Sequence, residues 1–505
     1  MKRSIVTVMF LTIFTKIIAY SKDLVLAYYY GTSQIVDIFV IAVNVPMLLF
    51  TFLGSAISAG YIPRYNSIQN KYGANRANQF TSNLMNILFL VFLFITILIL
   101  VFTKQFIYIF ASGFTGDKLS TAIYFTRISS LSLIISVPVA VLSSFLHMKG
   151  KFWIVSLKTV PMNLVLITFI IFGNKDPNLL IYGFVIGTVT QLLVILPSIY
   201  KEKFKYSPIV NLKDEDIKKF IILVAPIFLA IAINDINQIV DKTLASNLGD
   251  GAISALNYAH KIDTIVKTIF VSSVTIVMFP SISKLGSSKE YKKMNNTIIE
   301  SLVIISLLMV PATLALIVFS KETVTLLYGR GNFDESSISN TSYALIFYSI
   351  GMLGFGFRQA LTRVFYAIDR FKIPLYNSFF AAIINIGLNL VFYLYTNMGI
   401  GGLALATSIS GITSSLFLFI QIKLLNIGFE LKQFVKTFIK IVVISIIMII
   451  IGFFLQYQVL SLIQLSSNII YIFVMFISAS TYFILVYVFN VGDTKFLIKK
   501  HFLKR

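Results

Sequence analysis

The run IIYIFVMFISASTYFILVYVF (residues 469–489) carries no charge over twenty-one positions. A helix crossing the hydrocarbon core of a bilayer needs roughly 20 apolar residues, so this segment alone is long enough to span. ILFLVFLFITILILVF (residues 87–102) and IVVISIIMIIIGFFL (residues 441–455) repeat the pattern. Each is apolar on every side. A membrane barrel would instead show segments of about 10 residues alternating in and out, so strands are a poor reading. Outward from these runs, the whole chain of 505 residues is 57% hydrophobic and 12% charged, with a mean hydropathy of +0.88. A soluble domain carries about twice that share of charge. We therefore expect an all-α polytopic membrane protein. The first apolar segment leads into Lys22 and Asp23 without a small-residue cleavage site, so it reads as a retained helix and not a signal peptide.

Fourteen transmembrane helices are expected, near 6–28, 34–62, 82–103, 120–147, 152–173, 179–200, 219–247, 252–283, 295–319, 337–366, 374–396, 400–424, 437–457 and 465–490. The net charge of +22 would suggest nucleic acid in a soluble protein. Here it sits in alternate connections and no nucleic-acid partner is expected. The basic set includes Lys2 and Arg3, then Arg64, Lys71 and Arg76, the cluster Lys201 to Lys219, and the tail Lys495 to Arg505. The opposite set holds only Lys104, Lys118, Lys175, Lys321 and Arg330. Basic loops stay cytoplasmic and touch anionic lipid, so both termini are expected inside a bacterial plasma membrane.

The chain also repeats itself. Asp23, Gly31, Pro63, Lys104 and Phe145 recur as Asp241, Gly249, Pro280, Lys321 and Phe365, at offsets of 218, 218, 217, 217 and 220. Six spans fit one offset, so both copies share an orientation. We expect two six-helix lobes, 1–205 and 206–428, followed by two C-terminal helices and the basic tail over 429–505. Duplication of this kind marks transporters, with substrate held between the halves.

Charge buried in a membrane costs several kcal/mol and usually marks function. Deep charge concentrates in the equivalent first pairs of each half: Lys16, Lys22 and Asp23 in helix 1, Asp37 opening helix 2, Asn234, Asp235, Gln238, Asp241 and Lys242 in helix 7, and His260, Lys261, Asp263 and Lys267 in helix 8. Lys16, Lys22 and Lys261 supply cations beyond what the acids neutralise, which suits a phosphate-bearing head group. Lys22–Asp23, Asp241–Lys242 and Asp263–Lys267, taken singly, read equally as packing ion pairs. The set as a whole favours a lined cavity. Arg127, Arg358 and Arg363 read as structural anchors, and His260 as a hydrogen-bonded helix residue.

Asn385 and Asn389 share a helix face, and with Asp241 and Thr407 they offer only oxygen acceptors, suiting a hard cation such as Na⁺. Interhelical hydrogen bonding is the stronger reading of the same residues. With zero cysteines and three dispersed histidines, thiolate chemistry and a His-rich metal cluster are excluded. No phosphate-cradling Walker loop or HExxH element occurs, so neither ATP hydrolysis nor another enzymatic activity is expected, and no organic cofactor is implied.

TKIIAYSKDLVLAYYYGTSQIVDIFVIAVNVPMLL (residues 15–49) with SAISAGYIP, and DKTLASNLGDGAISALNYAHKI (residues 241–262) with FPSISK, resemble the MurJ (MviN) family of lipid II flippases within the multidrug/oligosaccharidyl-lipid/polysaccharide exporter superfamily. The resemblance covers essentially the full length. It implies a V-shaped cavity worked by alternating access, and an undecaprenyl-pyrophosphate-linked cell-wall precursor moved to the outer leaflet by a monomer. It places basic residues that meet the pyrophosphate at Lys16, Lys22 and Lys261, acidic motif positions at Asp23 and Asp37, and a sodium site at Asp241, Asn385, Asn389 and Thr407. All three bases are Lys where Arg is usual, keeping charge but losing bidentate geometry. Where the family carries an Arg pair after the helix-2 proline, this chain has Phe50 and Thr51. That departure leaves room for a flippase of another lipid-linked polysaccharide. A cation-coupled drug exporter of the same superfamily is the further alternative, though it would favour an acidic cavity.

Overall fold

A computed structural model describes the backbone of residues 2–425, 431–459 and 466–493; the side chains of 2–10, 226–235 and scattered others fall outside it. The tail from Lys495 to Arg505, the side chains of Lys2 and Arg3, and those of Asn234 and Asp235 therefore lie outside the described residues. The described chain is α-helical. In order the helices are α1 (Lys2–Tyr30), α2 (Gln34–Val101), α3 (Thr103–Phe110), α4 (Gly116–Met148), α5 (Phe152–Leu157), α6 (Thr159–Phe172), α7 (Leu179–Lys201), α8 (Glu215–Ala245) and α9 (Ala252–Ser287). They continue as α10 (Tyr291–Val318), α11 (Ser320–Tyr328), α12 (Glu335–Ile350), α13 (Met352–Ala367), α14 (Lys372–Tyr395), α15 (Ile400–Leu424), α16 (Leu431–Phe454) and α17 (Ser467–Val488).

Ten helices among the described residues are long and apolar enough to cross a membrane, or eleven when α12 and α13, bent by 42°, count as one span. Fourteen were expected. The three expected spans outside this set are α1, the first arm of α2, and α8, which hold much of the deep charge and include side chains that are not described. The decisive run at 469–489 behaves as a lipid-facing helix. Ile472, Phe473, Phe476, Phe483, Ile484 and Tyr487 form an exposed apolar face of α17, while Tyr471, Val474, Ser478, Tyr482 and Val486 turn inward. Apolar side chains exposed at helical spacing over a full span fit hydrocarbon as solvent.

The connection expected over 63–81 is helical. Only Gly73 (φ 81°, ψ 173°) leaves helical geometry inside α2. Positions 61 and 81 would lie about 30 Å apart along a straight helix. Instead the Tyr61 hydroxyl sits 2.6 Å from Thr81 Oγ1, so α2 is a hairpin folded at Gly73. Two further breaks divide expected single helices, at Lys158 between α5 and α6 and at Gly351 between α12 and α13.

By compactness the chain forms two units, residues 1–254 with 330–334, and residues 255–329 with 335–505. The repeat-based division at 205/206 follows sequence, whereas α8 packs into the first unit. There Ile217, Phe220 and Val224 of α8 join Ile57, Tyr61 and Phe80 of α2 in one core, with the Phe80 and Phe220 rings 6.2 Å apart. In the second unit, the Tyr471 hydroxyl of α17 lies 2.7 Å from Thr323 Oγ1 of α11, and Tyr482 donates to the Leu307 carbonyl of α10 at 2.8 Å.

The repeat is visible in the backbone. Phe102 (φ −103°, ψ 29°) and Phe319 (φ −109°, ψ 34°) break their helices alike, and each opens a short helix of eight or nine residues carrying Lys104 or Lys321. Gly31 and Gly249 share a positive φ. At Gly31 (φ +55°) a Cβ would also meet the Asn332 carbonyl oxygen at 2.3 Å, and backbone cannot yield. Gly31→Ala should therefore lose at least about 1–3 kcal/mol, seen as a lowered unfolding temperature; unchanged melting would contradict this.

The segment joining the repeats is strapped to α2. Asn83 both accepts from the Asn211 N–H at 2.7 Å and donates to its carbonyl at 3.0 Å, as a neighbouring strand would. Asn86 donates to the Ile209 carbonyl, Arg76 binds both oxygens of Asp214 at 2.8 and 2.9 Å, and Arg64 pairs with Asp216. Burial pushes the Asp214 carboxyl up, but Arg76, the Asp216 N–H and Asn83 outweigh it and hold it below the usual range. A lowered native value stabilises above the unfolded pKa of about 3.9 and is lost as pH falls through the native value. Amide exchange at 207–214, corrected for intrinsic rate, should stay slow near neutrality and accelerate below about pH 4. Constant protection down to pH 3 would contradict the clamp.

Candidate functional site

In the first unit, α1 carries Lys16, Lys22 and Asp23. Lys16 and Asp23 are seven residues apart and stack on one helix face, yet the structure pairs Asp23 with its neighbour Lys22, Nζ to Oδ1 at 2.6 Å. Asp23 is buried and the Lys22 side chain keeps 19% of its exposure. Lys16 is exposed and makes no hydrogen bond or ion pair among the described residues. The α1 motif thus presents one open cation and one held by a single carboxylate.

Asp37 differs from expectation. It is fully buried at the start of α2 and does not pair with Lys16 or Lys22. Its Oδ2 accepts from the Gly251 N–H and its Oδ1 from the Ser254 N–H, both at 2.8 Å. Lys118 lies 3.4 Å from Oδ2 and bonds Asp250 at 2.6 Å, with its ammonium 4.5 Å from the Phe114 ring centroid. A carboxylate at a helix N-terminus satisfies amides that have no intrahelical partner and meets the positive end of the dipole. Asp37 therefore fastens the start of α9, and its partners are two backbone amides and Lys118 in place of Lys16 or Lys22. Lys118 and Asp250 were missed: both sit at or beside connections between helices, where charge reads as solvated. Phe50 is half-buried, and Thr51 returns its hydroxyl to the Met47 carbonyl at 2.8 Å, so this turn of α2 presents no cation.

The second unit carries Lys261 on α9, half-buried, and Asp263, fully buried and bonded to Lys267 at 2.5 Å. Asn385 and Asn389 on α14 are buried: Asn389 donates to Asn385 Oδ1 and Asn385 to Thr407 Oγ1 on α15, both at 3.2 Å. Three of the four expected sodium ligands therefore touch as one cluster. Asp241, half-buried on α8, belongs to the first unit. The donor set is neutral amide and hydroxyl oxygen, a type that fits a monovalent hard cation. Thr407 donates its own proton to the Leu403 carbonyl at 3.2 Å while its Oγ1 accepts from Asn385.

The family model described as lipid II flippase MurJ matches residues 26–477. This chain belongs to the MurJ family. A probable lipid II flippase MurJ of Thermotoga maritima is 27% identical over 413 residues, spanning 82% of this chain and 83% of that protein. The lipid II flippase MurJ of Burkholderia cenocepacia is 23% identical over 451 residues, spanning 87% of each. A solved lipid II flippase MurJ in an inward closed conformation superposes with a TM-score of 0.82 at 26% identity, covering 96% of this MurJ family chain and 99% of that one. An inward-facing multidrug resistance MATE family transporter of the MOP superfamily shares the fold, with a TM-score of 0.70 at 14% identity over 81% of this chain and 94% of that one.

Proposed function

We propose that this protein carries lipid II, the undecaprenyl-pyrophosphate-linked peptidoglycan precursor, from the inner to the outer leaflet of a bacterial plasma membrane by alternating access. It acts as a monomer with both termini in the cytoplasm, and without covalent chemistry. The observation that carries the reading is the Lys16–Lys22–Asp23 motif of α1 in a chain whose family match runs over residues 26–477. Lys16, Lys22 and Lys261 neutralise the pyrophosphate. Asp23 holds Lys22 between cycles, and a pyrophosphate, with more charge and more acceptor oxygens than one carboxylate, displaces it. Release restores the Lys22–Asp23 pair, so the acid sets how readily product leaves.

Asp241, Asn385, Asn389 and Thr407 would hold a Na⁺ ion, which supplies a coupling charge; the chain's own part is to bring its oxygens together at α14 and α15. Membrane potential, worth about 2.3 kcal/mol per charge per 100 mV, favours inward return of the emptied cationic carrier.

The Phe50–Thr51 departure supports a second reading, a flippase for another lipid-linked polysaccharide. Depletion in the native host separates the two. Lipid II should accumulate in the inner leaflet; loss of a surface polymer with normal lipid II would support the second reading instead.

A further inference from the structure

Lys267, Arg358 and Asp263 belong neither to the α1 motif nor to the oxygen cluster. Asp263 is fully buried in the first half of α9, with Lys267 Nζ 2.5 Å from Oδ2, and its buried Oδ1 has no hydrogen-bond partner among the described residues. On α13, Phe355 carries two cations on one ring: Lys267 Nζ lies 4.9 Å from its centroid and the Arg358 guanidinium 5.5 Å. Arg358 is half-buried and makes no hydrogen bond or ion pair among the described residues. The group therefore holds two cations against one carboxylate. A guanidinium has five donors in a fixed fork, and no described residue meets those of Arg358. A lone packing pair needs only Asp263 and Lys267, so it does not account for Arg358. An incoming oxyanion accounts for it: it would take the Arg358 fork and share Lys267, with the Phe355 face supporting both bases.

We propose that Lys267 and Arg358 bind an oxyanion of the transported head group, a phosphate or a carboxylate, and that Asp263 weakens this binding by competing for Lys267. The proposal rests on the flippase reading and names a second anionic contact, in the half of the chain opposite Phe50 and Thr51. Asp263 is a positioning residue. It never meets the substrate, but it sets how much of Lys267 is available.

The purified full chain is titrated with undecaprenyl pyrophosphate and, separately, with lipid II. Arg358→Gln should weaken binding about tenfold or more, and Arg358→Lys should recover part of the loss. Asp263→Asn, which frees Lys267 at constant shape, should tighten binding severalfold. Opposite signs are the signature, since a purely structural cluster would lose binding and melting temperature together in both variants. A shift with both ligands assigns the oxyanion to the pyrophosphate, and a shift with lipid II alone assigns it to the head-group peptide. Shifts of the same sign, or none, while the wild type binds would overturn the proposal. Failure of the wild-type protein to move lipid II between leaflets would instead overturn the flippase reading.

Discussion

Lys22→Ala should abolish lipid II translocation, because the residue supplies a cation in α1 that carboxylate chemistry has already placed. The Lys22–Asp23 contact of 2.6 Å shows an ammonium able to meet an anion, with 19% of its side chain still exposed to receive another. Removing one partner of a buried pair strands the other, at a cost of about 3–5 kcal/mol. A folding defect from the orphaned Asp23 must therefore be separated from lost substrate contact. The double variant Lys22→Ala with Asp23→Asn removes the stranded charge. It should melt close to wild type and still fail to flip. Lys22→Arg keeps the charge, gains a bidentate fork, and should retain activity. Translocation at the wild-type rate by the double variant would remove Lys22 from the mechanism.

Asp37→Ala should be among the most destabilising single changes in the first unit. It exposes three groups at once: the Gly251 and Ser254 amides lose their acceptor, and Lys118 loses one of its two acids in a site with no exposure at Asp37. Breaking a buried pair typically costs about 3–5 kcal/mol, and orphaned amides add to it. Unfolding in detergent should shift to clearly lower temperature. Adding Lys118→Met, an apolar chain of similar reach, should recover part of the loss by removing the stranded ammonium. If Asp37→Ala melts as wild type while flipping stops, Asp37 acts on substrate after all and its capping role is secondary.

Much of this was legible in the sequence. Uninterrupted apolar runs can only be satisfied as lipid-facing or bundle helices, so the runs over 87–102, 441–455 and 469–489 form helices as expected, to Val101, Phe454 and Val488. The repeat offsets reappear as matched breaks at Phe102 and Phe319. Asn385, Asn389 and Thr407 touch because an i, i+4 spacing puts both amides on one face of α14. What failed to show has physical causes. The α2 hairpin was hidden because Arg64, Lys71 and Arg76 make its tip look like a loop, although helical backbone tolerates such residues well and only Gly73 leaves it. The partners of Asp37 did not show because the amides opening α9 are backbone and leave no mark at a fixed spacing. The strap at 207–216 did leave one. Asp214 and Asp216 are acids in a connection otherwise rich in lysine, which is where α2 supplies Arg64 and Arg76 to meet them. Arg358 read as an anchor because its lack of an acid partner among the described residues is a three-dimensional fact.

Transfer of lipid II between leaflets by the purified full chain in liposomes tests the central claim most directly. Lipid II should move in a protein-dependent way, and that movement should be lost in the Lys22→Ala, Asp23→Asn protein. Liposomes in which lipid II stays in its original leaflet while another lipid-linked glycan crosses would contradict it.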